Sequence, residues 1–189
     1  LLEQDYNEMA RMRELLELKN DYSDYKTTAA EIVAKDSSNW FSTFTINKGS
    51  FDGMKKNMNV ISSDGLIGVI TDVGLNFSTV RSVINDDSNI SAMLKGSSDL
   101  CIVSGNMSLI DQNLMDFYDV SASAEIKQGS ALVTSNVSSI YLPGLLIGYV
   151  YDFQLDGSEL TQSGHVVPAA SFDDLHEVLV ITQLKETED

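Results

Sequence analysis

The amino-acid sequence predicts a mainly β protein, in which an N-terminal α-helix of coiled-coil type precedes two small β-barrel domains. Three observations support this prediction. A glycine-containing phrase occurs twice, short apolar runs separated by turn residues fill most of the chain, and a stretch of good helix formers lies at the start. Regularly spaced short strands are typical of sandwiches and barrels. Two copies of one phrase indicate two related β-units rather than a catalytic centre.

The N-terminal helix is expected over residues 1–18, with residues 1–25 forming the helix and its connector. This stretch lacks glycine, proline and β-branched residues and is rich in Leu, Glu, Met and Arg. Its apolar residues form one stripe with heptad-like spacing: Leu2, Tyr6, Met9, Met12 and Leu16. The stripe is compatible with self-association of two helices and also with docking of the helix on its own chain.

Strands are expected wherever apolar residues alternate or form short runs between turn residues. The expected strands are 28–34, 40–46, 58–61, 66–71, 78–84, 90–94, 100–104, 120–126, 130–134, 145–153, 165–168 and 176–184. Residues 106–118 are compatible with a short helix or with a loop that carries apolar anchors. We expect residues 36–105 to form the first barrel and residues 26–35 with 106–184 a second, discontinuous barrel. Residues 185–189 form a polar tail.

The repeated phrase begins at Gly65 in its first copy and at Gly144 in its second. Aligned on the inner Ile-Gly, the copies share Gly68 with Gly148 and an aspartate four residues further on. A short β-type run precedes each copy. Glycine within a strand marks a bulge or a tight bend at a barrel corner, so these glycines are expected to shape the fold.

The charge of the chain excludes some partners. There are 28 acidic and 12 basic residues, which give a net charge of −16. A chain without an evident basic surface is not expected to bind nucleic acid, and the same charge disfavours adsorption to anionic lipid. No run approaches the ~20 apolar residues of a membrane span. The chain starts at Leu1 and not at Met, so we expect it to be part of a longer protein.

The sequence predicts no catalytic, cofactor or metal site. The two histidines, His165 and His176, lie late in the chain, and no serine occupies a Gly-x-Ser-x-Gly or Gly-Asp-Ser-Gly motif. His165 reads as an ordinary strand residue and His176 as a loop or edge residue. The acidic clusters lack the spacing of a calcium loop. Cys101 lies in a strand-like run and is expected to be buried in a core.

Two blocks of this sequence resemble a known bacterial family. Residues 46–54, 58–61 and 65–69 resemble the first conserved block of the rod shape-determining MreC proteins, and residues 129–150 resemble the second. Ser130 and Asn136 depart from the usual Asp and Gly, although Asn tolerates a left-handed backbone. The resemblance assigns turn or barrel-corner roles to Gly49, Gly53, Gly65, Gly68, Gly129, Thr134, Ser135, Pro143, Gly144 and Gly148.

The resemblance implies a non-enzymatic scaffold of the cell-wall elongation machinery that determines cell shape. Such a protein would be held in the cell membrane by a single N-terminal span outside this chain, with this region extracytoplasmic. Implied partners are a second copy, a penicillin-binding protein, MreD and MreB-type proteins. Exposed β-edges and the turns at 134–148 are the expected partner surfaces. Alternatives are an adaptor module of an export complex and, last, a trypsin-like hydrolase.

Overall fold

Short strands separated by turns account for almost all regular structure in the described part of the chain. The computed structural model describes residues 22, 24–36 and 42–186. Within them the strands are β1 (Thr27–Lys35), β2 (Thr43–Ile46), β3 (Asn59–Ile61), β4 (Leu66–Val73), β5 (Ser78–Ser82), β6 (Asn89–Leu94), β7 (Leu100–Ser104), β8 (Met115–Ser121), β9 (Ala131–Thr134), β10 (Leu146–Leu155), β11 (Thr161–Pro168) and β12 (Glu177–Ile181). Short 3-10 helices occupy Ser50–Asp52 and Met107–Gln112. The expected N-terminal helix lies outside the described residues.

The first barrel closes six antiparallel strands in the order β1-β12-β3-β4-β5-β2. Alternation along its strands explains its core. In β2, for example, Phe44 and Ile46 are buried while the two threonines between and beside them are partly exposed. A period of two places alternate side chains on the same face of a strand, so the apolar positions of all six strands meet inside the barrel.

The second barrel closes the remaining six antiparallel strands in the order β10-β11-β8-β7-β6-β9. The same alternation fills it: β6 buries Ile90 and Ala92, and β8 buries Met115 and Phe117, after which the period shifts by one residue and Val120 is buried. The prediction of a mainly β fold with two small barrels is therefore confirmed over the described residues.

Strand order relates the two barrels by a cyclic shift. The second barrel uses six consecutive strands, β6 to β11, whereas the first uses β1 to β5 and then β12. The two barrels have the same strand order when β6 is taken as the equivalent of β12 and when β7 to β11 are taken, in order, as the equivalents of β1 to β5. The second barrel is thus inserted between the fifth strand of the first barrel and the strand that completes it.

This pairing differs from the division expected from the sequence. Strand β1 lies between β12 and β2, with Thr27 opposite Ile181 and Ile32 opposite Ile46, so residues 26–35 belong to the first barrel and not to the second. Strands β6 and β7 likewise pair with β9 and β8 of the second barrel. The discontinuous barrel is the first and not the second. Local patterns identify strands, and they do not identify distant partners.

The stretch 106–126 also differs from the expectation. Residues 107–112 form the second 3-10 helix, and β8 begins at Met115, five residues before the strand expected at 120–126. Asn106 caps the helix, because its side chain accepts a hydrogen bond from the Ser108 amide at 3.0 Å. Met115 and Phe117 alternate with partly exposed residues at the start of β8, but the exposed Asp119 interrupts this period before the buried Val120. Ile126 is buried without belonging to a strand.

The repeated phrase forms the same local structure in both barrels. Gly68 of β4 lies opposite Ser82, and Gly148 of β10 lies opposite Pro168. A Cβ at Gly68 would lie 2.1 Å from the Arg81 carbonyl oxygen, and one at Gly148 would lie 2.2 Å from that of Val167. Each strand then changes register just before the shared aspartate, Asp72 or Asp152. The phrase therefore encodes a close strand approach followed by a β-bulge.

Alanine at Gly68 or Gly148 is expected to destabilise the protein. The added Cβ would overlap a backbone carbonyl, which cannot move without disturbing a ladder, so each variant should lose about 1–3 kcal/mol of unfolding free energy. Urea denaturation measures this. Gly157→Ala is the control, because a Cβ there meets no atom within 4 Å. Equal stability of Gly68→Ala and this control would contradict the close-approach explanation.

Candidate functional site

The loop that joins β9 to β10 is organised around one buried threonine. The Thr134 hydroxyl donates to the Leu142 carbonyl oxygen at 2.6 Å and accepts from the Leu145 amide at 2.8 Å. Its amide donates to the Leu145 carbonyl oxygen, and its carbonyl oxygen accepts from the Gly144 amide. Thr134 is fully buried. A hydroxyl that can donate and accept at once is suited to close this loop from inside.

The same loop is fastened to the first barrel by Asn59 of β3. The Asn59 side chain accepts from the Leu142 amide at 2.8 Å and donates to the Ile140 carbonyl oxygen at 3.1 Å. Asn59 is 1% exposed, so these bonds form away from water. The Tyr25 hydroxyl adds a bond to the Pro143 carbonyl oxygen at 2.8 Å. The two barrels are therefore joined by hydrogen bonds as well as by the chain.

This contact changes the interpretation of the turns at 134–148. They were expected to form a partner surface, but Tyr141, Leu142 and Leu145 are all buried. Val137, at 65% exposure, is a large apolar side chain of this loop that faces solvent. The expectation is wrong for most of the segment, because this turn packs between the barrels of its own chain.

The other expected turn residues lie at loop ends and close approaches. Gly49 precedes the first 3-10 helix, and a Cβ there would lie 2.4 Å from the Leu75 carbonyl oxygen. Gly53 ends that helix with a φ of 83°, a left-handed conformation that favours glycine. Gly65 lies against the second barrel, since a Cβ there would approach the Leu146 carbonyl oxygen to 2.7 Å.

The remaining two expected residues frame β9. Gly129 lies in the turn that precedes this strand, and the Ser135 amide that follows it donates to the Ser91 carbonyl oxygen at 2.9 Å. Roles of these glycines and polar residues in shaping turns remain a prediction. The self-association stripe cannot be placed, because Leu2, Tyr6, Met9, Met12 and Leu16 lie outside the described residues.

His165 lies on the outer side of β11 between two carboxylates. Its Nδ1 is 2.7 Å from Asp152 Oδ1, and its amide donates to the same oxygen at 3.0 Å. Its Nε2 faces Asp116 Oδ1 at 3.7 Å. In a serine-hydrolase triad that second nitrogen faces the nucleophilic hydroxyl. Here the histidine instead ties the bulge of β10 to β11 and approaches β8.

The remaining reactive groups lie apart from it. His176 pairs with Asp174 at 2.9 Å in the loop before β12. Cys101 is buried on β7, as expected, and burial raises the pKa of its thiol to about 12. Among the residues that the structure describes, no three His, Cys, Asp or Glu side chains are grouped to hold a metal ion. Nor does any helix in that part have the length and apolar character to cross a membrane.

The most conspicuous surface of the second barrel is the β10–β11 hairpin. Its exposed apolar residues are Tyr149, Tyr151, Phe153, Leu155 and Leu160, and we call this set the hairpin surface. From residue 151 to the end of β10 every side chain is exposed, because the strand runs on beyond the barrel core. Large exposed apolar patches mark interaction sites. Sequence reasoning missed this surface, since alternating aromatics in β10 look like inward-facing residues.

The hairpin is ordered by its own hydrogen bonds, and it carries acidic charge. Asp156 accepts from the hydroxyls of Ser163 at 2.6 Å and Thr161 at 2.7 Å, and these two bonds lower the pKa of its carboxyl. Asp152 and Glu159 are also exposed there. On the β9 side the paired residues end at Tyr149, and the last backbone hydrogen bonds join Val150 to Ser130 and Gly129. Over the described residues, the outer half of β10 therefore has one paired edge and one open edge.

The fold and this surface define the class of protein: a double six-stranded β-barrel with an exposed acidic, apolar hairpin. The profile of the family described as "Rod shape-determining protein MreC, barrel core" matches residues 32–182, which include nearly all of both barrels. The chain therefore belongs to the MreC family, and the family resemblance seen in its sequence motifs is confirmed.

The relatives agree with this assignment. The chain is 29% identical over 178 residues to the cell shape-determining protein MreC of Listeria monocytogenes, covering 93% of this chain and 60% of that protein. The chain thus spans about three fifths of this curated relative. A solved structure of Listeria MreC superimposes with a TM-score of 0.79 at 28% identity, covering 100% of this chain and 94% of that one.

A second solved structure is a complex between penicillin-binding protein PBP2 and MreC from Helicobacter pylori. It matches with a TM-score of 0.62 and covers 84% of this chain and all of that one. At 15% identity it shows the same fold.

Replacing Asn59 by alanine is expected to loosen the contact between the barrels. The Leu142 amide and the Ile140 carbonyl would lose their buried partner, and each unsatisfied group costs about 1–3 kcal/mol. Urea denaturation should show a loss of about 2–4 kcal/mol, and hydrogen exchange at the Leu142 amide should accelerate. Asn89→Ala is the control, since Asn89 is exposed. Unchanged exchange at Leu142 would refute the fastening role.

Alkaline pH is expected to destabilise the same contact through Tyr141. Burial raises the pKa of its hydroxyl to about 12, against an opposing effect of Arg81, while the unfolded chain titrates near 10. The unfolded state loses its proton first, so this stabilising contribution is complete below pH 10 and disappears as the pH rises to 12. Urea unfolding at pH 8–11.5 should show a shallower decline for Tyr141→Phe. An identical decline would contradict this assignment.

Proposed function

We propose that this chain is the extracytoplasmic part of a non-enzymatic, membrane-tethered scaffold of the bacterial cell-wall elongation machinery, acting in cell shape. The observation that carries the proposal is the family match over residues 32–182, which includes both barrels almost completely. Because the chain spans only part of its relatives, the activity of the whole protein is inferred from the family and from the surfaces that these barrels present.

The hairpin surface is the proposed site for a cell-wall synthesis partner. Tyr151 and Phe153 are 49% and 41% exposed, and Leu155 is 55% exposed. Aromatic side chains supply most hot spots at protein interfaces, and here they stand on a strand whose outer edge is open. A partner could add a strand to that edge or pack an apolar face on the rings.

A penicillin-binding protein is the proposed partner. The support is that the MreC of another bacterium has been solved in complex with such a protein. The acidic residues on the hairpin, Asp152, Asp156 and Glu159, favour a partner surface that is basic around an apolar centre. MreD and MreB-type proteins are further proposed partners through the family resemblance.

The anchor and the self-association are proposed from the N-terminal sequence. A single span preceding this chain would place the barrels outside the cytoplasm. The stripe of Leu2, Tyr6, Met9, Met12 and Leu16 would pair two copies as a short coiled coil. Two tethered copies would present two hairpin surfaces, which raises the effective concentration at a bivalent partner.

Binding to the extracytoplasmic part of the cognate penicillin-binding protein tests the partner assignment. The double variant Tyr151→Ser/Phe153→Ser should raise the Kd by more than about tenfold, because it removes two exposed aromatic anchors. Calorimetry or surface plasmon resonance measures the change. The matched control is Leu100→Ser/Val137→Ser, a pair of similarly exposed apolar residues elsewhere on the second barrel.

In cells, the hairpin variant should fail to restore rod shape after depletion of the native protein, while the control variant should restore it. Equal binding by wild type and the hairpin variant would refute the hairpin assignment. Normal shape and wall synthesis after depletion would refute the scaffold role itself.

A further inference from the structure

One end of the first barrel carries a second exposed apolar surface. Because the strands are antiparallel, β2 and β4 end, and β1, β3 and β5 begin, at this end. Its connections are residues 47–58 and 74–77, which we call the free-end loops. The segments that lead to and from the second barrel, 83–88 and 169–176, leave from the opposite end.

Three large apolar side chains project from the free-end loops. Phe51 is 76% exposed, Leu75 is 62% exposed and Phe77 is 52% exposed. The two loops are hydrogen-bonded to each other, because the Phe51 amide donates to the Leu75 carbonyl oxygen at 3.1 Å and the Ser50 amide donates to that of Gly74 at 2.9 Å. A Cβ at Gly74 would lie 2.8 Å from the Phe77 ring. These side chains are therefore presented together by a fixed backbone.

The charge of this end differs from that of the whole chain. The free-end loops contain Lys48, Lys55, Lys56 and one carboxylate, Asp52, so their net charge is 3 − 1 = +2, whereas the chain carries −16. Asp72 at the end of β4 and Glu31, whose carboxylate accepts from the Asn47 side chain at 3.2 Å, bring the sum to zero. The other segments at this end, 22–26 and 182–186, add two lysines and two carboxylates, which cancel.

The one carboxylate of the free-end loops, that of Asp52, already has a hydrogen-bond donor and a cationic partner within these loops. Asp52 accepts from the Gly49 amide at 3.0 Å and lies 3.4 Å from Lys48 Nζ. The bond from the Gly49 amide and the neighbouring lysine lower the pKa of Asp52. Lys55 and Lys56 are exposed, and within the described part of the chain they have no ion pair. Two ammonium groups therefore stand free beside three exposed apolar side chains.

We propose that the free-end loops dock on an anionic lipid surface. Aromatic and aliphatic side chains bury at the level of the headgroups, and neighbouring lysines are attracted to anionic lipid. The position of the chain favours this occupant, because β1 begins at this end, so the segment before the barrel emerges beside the loops. The hairpin surface, by contrast, is acidic and would be repelled. The proposal does not require the scaffold role, although a membrane tether would strengthen the contact.

A tryptophan reporter tests the docking directly. Trp40 is the single tryptophan, so Trp40→Phe/Phe51→Trp places the only indole in the free-end loops. With vesicles of phosphatidylglycerol and phosphatidylcholine, its emission should shift to the blue and the protein should float with the vesicles. Pure phosphatidylcholine vesicles should give much weaker binding, and 0.5 M salt should weaken the anionic case, since the attraction is screened.

Charge reversal provides the matched comparison. In the reporter protein, Lys55→Glu/Lys56→Glu should weaken partitioning into the anionic vesicles by roughly 20-fold or more. Lys95→Glu/Lys127→Glu makes the same change of net charge at two exposed lysines of the second barrel and should have little effect. Circular dichroism would verify that both variants remain folded.

Three results would overturn the proposal. The first is no binding of the reporter protein to anionic vesicles, and the second is equal weakening by the two charge reversals. The third is an emission shift that depends on protein concentration without vesicles, together with a sedimenting dimer that Lys55→Glu/Lys56→Glu abolishes. That third result would assign the free-end loops to a contact between copies of this chain. Failure of the chain to bind the penicillin-binding protein would leave this lipid-docking proposal unaffected, because the two proposals concern different surfaces.

Discussion

The architecture depends on the closure of the first barrel by its last strand. Strand β1 begins at Thr27, and its neighbour β12 begins at Glu177, so the entire second barrel lies between two adjacent strands. The entropy of closing a loop grows slowly with its length, which makes such an insertion tolerable when the inserted segment is itself folded. Because both connections leave one end of the first barrel, the second barrel is held beside it. There the loop around Thr134 meets Asn59.

The two barrels use one local device for different purposes. Each contains the close glycine approach and the bulge before an aspartate. In the first barrel β4 ends at Val73, soon after the bulge. In the second, β10 continues to Leu155. Asp152, which follows the bulge, accepts a hydrogen bond from the His165 amide and contacts the His165 ring. The longer strand carries the aromatic residues out of the core and produces the hairpin surface.

The two exposed apolar surfaces differ in charge, and for this reason we propose different partners for them. Acidic residues surround the hairpin surface, whereas lysines accompany the free-end loops. Charges separated by more than a Debye length of about 10 Å are largely screened at 0.1 M salt, so the local sum at each surface matters more than the net −16. The net charge, which disfavours adsorption to anionic lipid, therefore describes the average surface, and the free end departs from that average.

The sequence by itself determined the strands, the repeated glycine phrase, the burial of Cys101 and the family. These follow from neighbours in the chain, because alternation and glycine positions record which face of a strand is buried and where backbones must approach. It misplaced β8, and it assigned β1 to the wrong barrel. It also took the turns at 134–148 for a partner surface. Only the tertiary structure decided these points, together with the hairpin surface and the exposed lysines of the free-end loops. Each of these points depends on which distant segments come into contact. Strands pair through backbone hydrogen bonds, and the side-chain sequence of a strand therefore says little about which strand is its partner.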